Sequence, residues 1–398
     1  MTKSDRATVS FSPGQGWDYG FIEHPFVEEE KKKGVRYCVY NRRLMAVSFE
    51  TKTNEEGYWN LRKTAGTLHT GEHTIEINGP DSTKLLDLIF TRNIHKTKIN
   101  KCSYQIACYQ DGGIITDGVL LKLSDDRYWY AQADGDLFSW IKAHSLNFDA
   151  NVFVPKIFIS QVQGPNSLKI LKELIDVNID EFKYYNHAEF NICGENIIIS
   201  RTGYTNELGW EIYFEEHHDY HKIWNKINEI GEKYGIGSSG LDSFEPRRIE
   251  AGILNAGSDF NETNNPFQMG LGTMVDFSKD NFIGKEALLN SSKETYLLGL
   301  QCDNGTPKWK GNVYKNSLHI GNITCGAYSP FLLKGVGYVY FKDSIEEINS
   351  TVQIECIDGS LQDAVVVKLP MYDEEKKIIL CNPLVWLAHQ PGIEPGTY

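Results

Sequence analysis

Long hydrophobic runs, a leader-like N-terminus and paired cysteines are all missing from this 398-residue sequence. No stretch approaches the ~18 consecutive apolar residues that a membrane-spanning helix needs. The first 16 residues are rich in Ser and Gly and have no apolar segment typical of a signal peptide. We therefore predict a soluble, cytoplasmic protein without a membrane partner.

The sequence also has no excess of basic residues and no CxxC pair. Lys plus Arg total 40 against 53 Asp plus Glu, which gives a formal net charge of −13. Because nucleic-acid binding normally needs a basic surface, we expect no nucleic-acid partner, whereas a negative field would attract a small cation. The eight cysteines are scattered, so we expect reduced thiols.

Two familiar motifs occur without the context that they require. Residues 235–240 (GIGSSG) match the dinucleotide-binding pattern GxGxxG, but a predicted helix precedes them, which favours a turn between helices. His217, His218 and His221 have a spacing seen in metal ligands, but no second cluster completes a site. We predict solvent-exposed histidines there and no metal.

Helix-like and strand-like patterns are interleaved without the regular alternation of a doubly wound sheet, which favours an α+β fold. Residues 37–49 are expected to form one strand. From about residue 295 onward, short runs separated by Gly, Asp and Asn predict a small all-β barrel. We expect a body over residues 1–290 and a barrel domain over residues 291–398.

Residues 201–213 (RTGYTNELGWEIY) are the most informative segment. A Gly-containing turn leads into a strand on which Glu211 and Tyr213 point to one face and Trp210 to the other. The pattern alone leaves open whether Glu211 faces solvent or a site.

This segment resembles the R-[TS]-G-[YW]-x-x-E-x-G-[FYW]-E motif of the folate-dependent aminomethyltransferase family, which includes the T-protein of glycine cleavage. Further matches follow in the family's order and extend the resemblance over roughly residues 35 to 370. They are KCSY at 101–104 with DGGIITD at 111–117, QGP at 163–165, RIEAG at 248–252, NFIGKEAL at 281–288 and GNITCGAYSP at 321–330.

The resemblance implies a cloverleaf of three subdomains around a tetrahydrofolate channel, the last being the barrel. It implies that Glu211 binds the pteridine, since a carboxylate accepts two adjacent N–H groups in a planar pair. It places Asp117 by the reactive part of the folate, with Tyr213 as a second catalytic residue. Tyr104 and Arg248 are expected as further cofactor contacts.

Three positions depart from the T-protein pattern. Thr116 stands where the family has the first aspartate of a pair, and Leu68 and Phe244 stand where the T-protein has an aspartate and an arginine. Tyr40-Asn41 resembles a pair in the methyl-transferring branch, dimethylsulfoniopropionate demethylase. This branch implies transfer of a methyl group from a small sulfonium or quaternary ammonium compound to N5 of tetrahydrofolate.

A cationic donor can be held by aromatic faces, for which Tyr40, Tyr204, Trp210 and Trp129 are candidates. An aryl methyl ether is the alternative donor. Its leaving group is a phenolate, which would need an acid to protonate it. The candidate acids are His69 and His73.

Two other functions remain open at the level of sequence. The first is aminomethyl transfer, with the lipoyl-carrying H-protein as partner. The second is a folate-binding module without catalysis, like the iron–sulfur assembly factors, although residues 281–286 lack the cysteine of those proteins. A homodimer is also compatible with the sequence.

Overall fold

The structure is a computed structural model that describes residues 21–175, 181–342 and 345–380. No helix in these ranges is both long and apolar enough to span a membrane. The helices are α1 Val27–Lys31, α2 Asn54–Lys63, α3 Ser82–Ile89, α4 Leu137–His144, α5 Ser167–Leu174, α6 Tyr220–Glu232, α7 Leu241–Glu250 and α8 Lys285–Asn290. Short 3₁₀ turns cover Ile94–Lys96, Ser145–Asn147 and Gly272–Met274.

The strands divide between the body and the C-terminal barrel. Those of the body are β1 Val35–Tyr40, β2 Arg43–Phe49, β3 Ala65–His69, β4 His73–Asn78, β5 Cys102–Cys108, β6 Ile114–Lys122, β7 Arg127–Gln132, β8 Asn151–Phe153, β9 Ile157–Gln163, β10 His187–Ile192, β11 Glu195–Ser200, β12 Gly209–Glu215 and β13 Ile236–Ser238. Those of the barrel are β14 Leu297–Cys302, β15 Asn312–Lys315, β16 Leu318–Ser329, β17 Lys334–Phe341, β18 Thr351–Glu355 and β19 Leu361–Val367.

The segment expected to be one strand is a hairpin of β1 and β2. Asn41 and Arg42 form its turn with φ of 49° and 64°. Two central residues with positive φ suit the twist of a two-residue hairpin. The prediction of a single strand was wrong because neither Gly nor Pro marks this turn.

The larger sheet of the body has the order β10-β11-β12-β9-β3-β13. One face buries Trp210, Ile212 and Phe214 in the core that also contains the apolar side of α6. Glu211 and Tyr213 lie on the opposite face, as the alternation in β12 predicts. The GxGxxG segment contains β13, which pairs in parallel with β3, so it is not only a turn.

The second sheet of the body has the order β5-β6-β7-β4-β8. Its outer face packs against α3 and α4, through Leu86 and Ile141 among others. Its inner face meets the larger sheet, where Trp129 packs with Tyr213. Residues from the facing sides of these two sheets therefore come close together.

The barrel strands close in the order β14-β17-β16-β15-β18-β19, with β19 pairing back onto β14. The predicted α+β fold with a C-terminal all-β barrel is confirmed. Strand β14 begins at Leu297, and the domain division at residues 290 and 291 stays a prediction.

Two arginines of α7 join the body to the barrel. Arg247 pairs with Glu250 at 2.6 Å, and Ser329 of β16 donates to the same carboxylate at 2.6 Å. Arg248 pairs with Asp259 at 2.5 Å, and a threonine of β16 donates to the other oxygen of Asp259 at 2.7 Å. We call this set of contacts the joint.

Candidate active site

A cavity of about 1360 Å³ lies where the two sheets, α7 and the barrel meet. Every one of these units contributes to its wall. Its chemically important lining residues are Tyr40, Glu72, Tyr104, Asp117, Gln161, Thr202, Tyr204, Glu211, Asn255, Lys308 and Lys376.

Glu211 lies on the cavity face of β12. Thr202 donates a short hydrogen bond to its Oε2, and Ser200 lies within hydrogen-bond reach of Thr202. Burial raises the pKa of Glu211 to about 7, and the nearby charge of Glu72 contributes in the same direction. The carboxyl group of Glu211 is thus only partly ionised near neutral pH.

Asp117 lies on the cavity face of β6. Tyr104 donates to its Oδ2 at 2.6 Å, whereas Oδ1 is buried without a hydrogen-bond partner in the described part of the chain. Burial raises the pKa of Asp117 to about 6, and the Tyr104 hydrogen bond opposes that rise. Tyr104 therefore fixes the orientation of a carboxyl group on the cavity wall.

Thr116 precedes Asp117 and belongs to the other face of the strand. Its Oγ1 donates to the carbonyl of Asp134 at 2.6 Å, and the side chain is fully buried. Since Thr116 does not line the cavity, the missing first aspartate removes no carboxylate from the cavity wall.

Of the aromatic candidates, Tyr40 and Tyr204 line the cavity and the two tryptophans do not. The indole of Trp210 donates to the Ser167 carbonyl on the far face of its sheet, and Trp129 donates to Glu76. The prediction that these tryptophans contact substrate is corrected, because both side chains are used in packing the body.

The histidines expected as acids also lie away from the cavity. His69 stacks on Phe26 with ring centroids 4.3 Å apart and hydrogen-bonds Ser160 at 2.7 Å. Burial lowers the pKa of His69 well below its ordinary value and lowers that of His73 as well. The described lining of the cavity contains no histidine, so neither prediction fits the geometry.

Two further predicted site residues lie behind the wall. The guanidinium of Arg248 donates hydrogen bonds to both carboxylate oxygens of Glu245, to one oxygen of Asp259 and to the Ile253 carbonyl. The residue therefore belongs to the joint. Tyr213 is fully buried and packs against Trp129, with ring centroids 5.8 Å apart. Neither is among the described lining residues of the cavity, so the structure does not support the predicted cofactor contact of Arg248 or the predicted catalytic contact of Tyr213.

The sequence did not predict Glu72 and Gln161 as site residues, because neither belongs to a recognised motif. Gln161 is the cross-strand partner of Glu211, and its buried Oε1 has no hydrogen-bond partner among the described residues. A search for polar residues in otherwise apolar strands would have found Gln161, but Glu72 lies in a turn and gives no such signal.

The histidine cluster supplies one potential metal group among the described residues, formed by Glu215, His217 and His218. Both ring nitrogens of His218 are already used, by the backbone N–H of Glu215 and by the Asn196 carbonyl, each at 2.9 Å. His221 instead pairs with Glu29 at 3.2 Å. His218 thus fixes the local backbone.

The cavity between a body of two sheets and a barrel, together with the matches below, assigns the protein to the folate-dependent one-carbon transferases. Residues 26–279 match the family model described as the GCVT N-terminal domain, and residues 296–373 match the glycine cleavage T-protein C-terminal barrel domain. The chain belongs to the aminomethyltransferase family, and the predicted cofactor, tetrahydrofolate, is the compound on which this family acts.

Relatives and a solved structure agree with this assignment. The aminomethyltransferase of Thermotoga petrophila is 32% identical over 323 residues, covering 78% of this chain and 87% of that protein. The aminomethyltransferase of Halothermothrix orenii is 32% identical over 361 residues, covering 87% and 98%. The crystal structure of glycine cleavage system aminomethyltransferase T from Bartonella henselae has a TM-score of 0.81 at 21% identity, covers 89% and 99%, and shows the fold.

The cavity fits tetrahydrofolate on its own chemistry. The pterin edge presents adjacent N–H donors, and the paired strands β9 and β12 place the acceptors Gln161 and Glu211 side by side. The unmet oxygens of Gln161 and Asp117 are the kind of buried groups that a polar ligand satisfies. The residues present therefore suit the cofactor.

Proposed function

We propose that this protein moves a methyl group from a small sulfonium or quaternary ammonium donor to tetrahydrofolate, giving 5-methyltetrahydrofolate. The observation that carries the proposal is Asp117, held by Tyr104 on the wall of a cavity that Glu211 also lines. When bound, tetrahydrofolate supplies N5, whose lone pair accepts the methyl carbon as the donor leaves with the electrons of the broken bond.

The chain's own residues have distinct tasks in this scheme. Glu211, oriented by Thr202, accepts the N–H groups of the pterin and fixes its rotation in the cavity. Asp117, oriented by Tyr104, takes the proton that N5 must lose. Its raised pKa, about 6, suits a group that accepts a proton near neutral pH. The remaining rate enhancement comes from holding the methyl carbon of the donor in line with N5.

The choice of an onium donor is supported by what surrounds the cavity. Such a donor departs as a neutral molecule and needs no acid, and the two histidines that the sequence suggested as acids are not among the described lining residues. His69 and His73 lie away from the wall, which weakens the aryl ether alternative. Tyr40 and Tyr204 remain as aromatic faces for a cation.

Aminomethyl transfer is the second candidate, because the similar curated proteins are named aminomethyltransferase. Thr116 counts less against it than the sequence suggested, since this residue is turned away from the cavity. In that case the donor would be an aminomethyl group on a lipoyl arm, and the partner would be the lipoyl-carrying H-protein.

The absence of nucleic-acid and membrane partners, a cytoplasmic location and a homodimer stay predictions from the sequence. A folate-binding module without catalysis would bind tetrahydrofolate but produce no methylated or methylene folate.

The test supplies tetrahydrofolate to the purified protein with three donor sets: methylated onium compounds, methoxy aromatics, and an aminomethyl-lipoyl carrier protein. Products are identified by mass spectrometry. We expect 5-methyltetrahydrofolate from the onium set. Formation of 5,10-methylenetetrahydrofolate from the carrier set alone would establish the second candidate, and binding without any product would overturn both.

A further inference from the structure

Glu72 lies in the turn between β3 and β4 and lines the same cavity as Asp117 and Glu211. The preceding Gly71 packs so closely against Tyr40 that a Cβ there would lie 2.9 Å from the Cβ of Tyr40. Tyr40 ends β1 at the tip of the hairpin and lines the cavity as well. The hairpin and the turn thus hold Glu72 beside an aromatic side chain.

One oxygen of Glu72 is left without a partner. Its Oε2 is buried and makes no hydrogen bond to any described residue. Arg43 interacts with Glu72 through charge, but its Nη1 donates to the Ile157 carbonyl at 2.6 Å and its guanidinium lies 5.1 Å from the centre of the Phe158 ring. Burial raises the pKa of Glu72, and Thr70 and Arg43 oppose that rise. A buried, ionised carboxylate with an unpartnered oxygen destabilises the folded protein until it binds a cation or a proton.

Negative charge and aromatic surface surround this end of the cavity. The charges of Glu72 and Asp117 both act on the ring of Tyr40. Among the described lining residues the positive charges are Lys308, in the barrel, and Lys376, beyond its last strand. No lysine or arginine of the body lines the cavity in the described ranges, so this end favours a cation.

We propose that Glu72 selects the charge of the one-carbon donor, its carboxylate lying near a cationic centre that also contacts Tyr40. The inference rests on the proposed function, because it takes the donor to share this cavity with tetrahydrofolate. The common chemistry is a positive centre, borne by a sulfonium or quaternary ammonium group or by a protonated amine. A neutral ether would leave the Glu72 oxygen unmet and is disfavoured.

The experiment measures binding to the full chain by calorimetry at saturating tetrahydrofolate. The probes are choline, its sulfonium analogue (2-hydroxyethyl)dimethylsulfonium, the protonated amine 2-(dimethylamino)ethanol, and the neutral isostere 3,3-dimethyl-1-butanol. The variant is Glu72→Gln, and the matched control is Glu55→Gln, an exposed carboxylate at the mouth of the cavity.

We expect the unmodified protein and Glu55→Gln to bind at least one cation about tenfold or more tightly than the isostere. Glu72→Gln should reduce that ratio to about twofold or less, with the affinity for tetrahydrofolate unchanged within about twofold. If choline and the sulfonium bind but the amine does not, the donor is an onium compound. If the amine binds and the two onium compounds do not, the donor is a protonated amine. Glu72→Met keeps a similar volume without charge and replaces the Gln variant if that protein does not fold.

Three results separate the two proposals. If the protein binds tetrahydrofolate but shows no preference for a cation, or binds none of the probes, only the role of Glu72 is overturned. The same holds if the preference for a cation persists in Glu72→Gln. A Glu72-dependent preference without methyl transfer to any donor supports the role of Glu72 and overturns the methyltransferase. Failure to bind tetrahydrofolate overturns both.

Discussion

The joint and the cavity wall are both built from buried charges, but their hydrogen bonding differs. In the joint, Arg248 bonds Glu245 and Asp259, and each oxygen of Asp259 accepts at least one hydrogen bond. In the cavity, Asp117 and Glu72 each keep a buried oxygen without a partner among the described residues. Because an unmet buried carboxylate is destabilising, the pair of Arg248 and Asp259 serves the fold, whereas the cavity carboxylates suit a ligand.

The electrostatics follow the same division. Burial opposes the charge of Arg248, but Asp259 and Glu245 outweigh it and keep the pKa of Arg248 well above its ordinary value. Burial dominates in the cavity and raises the pKa of Asp117 to about 6 and that of Glu211 to about 7. Charged partners therefore fix the charge of Arg248, whereas burial without such partners makes Asp117 and Glu211 sensitive to pH.

The largest expected effect breaks the joint. Arg248→Met should lower the free energy of unfolding by about 3–5 kcal/mol, because it removes one side of a buried ion pair with Asp259. Urea unfolding followed by tryptophan fluorescence measures this loss. The control Lys226→Met breaks an exposed pair with Glu229 and should cost about 1 kcal/mol or less. Equal losses in the two variants would contradict the assignment of Arg248 to the joint.

Asp117→Asn tests the reacting end of the cavity. It should reduce the rate of one-carbon transfer at least about a hundredfold, since the amide cannot take the N5 proton. Tetrahydrofolate affinity, measured by calorimetry, should change by about threefold or less. Asp125→Asn, at an exposed position in the turn after β6, should leave the rate unchanged. An active Asp117→Asn protein would remove Asp117 from the chemistry.

Glu211→Gln tests pterin recognition. Replacing the carboxylate should weaken tetrahydrofolate binding about 10- to 100-fold, because one charge-assisted hydrogen bond is lost and an amide N–H faces the pterin donors. Equilibrium binding measures the change. Glu216→Gln, exposed just beyond the same strand, provides the control. Unchanged affinity in Glu211→Gln would place the pterin elsewhere.

The ligand-free protein should also lose stability as pH rises. The folded-state pKa of Glu211, about 7, is above its ordinary value of 4.5, so the folded state binds more protons between these values and stability falls from pH 4.5 through 7. Glu211→Gln should remove on the order of 2–3 kcal/mol of this pH dependence. Urea unfolding at pH 5 and pH 8 measures it, and an unchanged pH dependence would contradict the burial of an ionisable group there.

The smallest effect is expected at Thr116. Thr116→Val removes the hydrogen bond to the Asp134 carbonyl and should cost about 1 kcal/mol of stability. Tetrahydrofolate affinity and transfer rate should change by about twofold or less, because the side chain does not face the cavity. A tenfold loss of either would show that this position is part of the site.

Local periodicity explains which parts of this molecule the sequence predicts well. Alternation along β12 correctly separates Glu211 from Trp210, because side-chain direction in a strand depends only on spacing. The hairpin turn at Asn41 was missed because it contains neither Gly nor Pro. The site residue Glu72 was missed for a different reason, since its position depends on the approach of the hairpin to a distant turn.

Matching a motif does not show whether a residue faces the ligand. Arg248 matches a family motif, yet its partner Asp259 is eleven residues away on a loop and only the fold brings the two together. Trp129 and His69 have suitable chemistry, but the sheets place both outside the cavity. Tertiary contacts, which spacing cannot reveal, decide these cases.

The most direct test of the account is the identity of the folate formed by the purified protein. Tetrahydrofolate is incubated with methylated sulfonium and quaternary ammonium compounds, with Asp117→Asn as the control. The account predicts 5-methyltetrahydrofolate in an amount equal to the demethylated donor, and a loss of at least about a hundredfold in the variant. No methylated folate from any onium donor, with tetrahydrofolate bound, would contradict it.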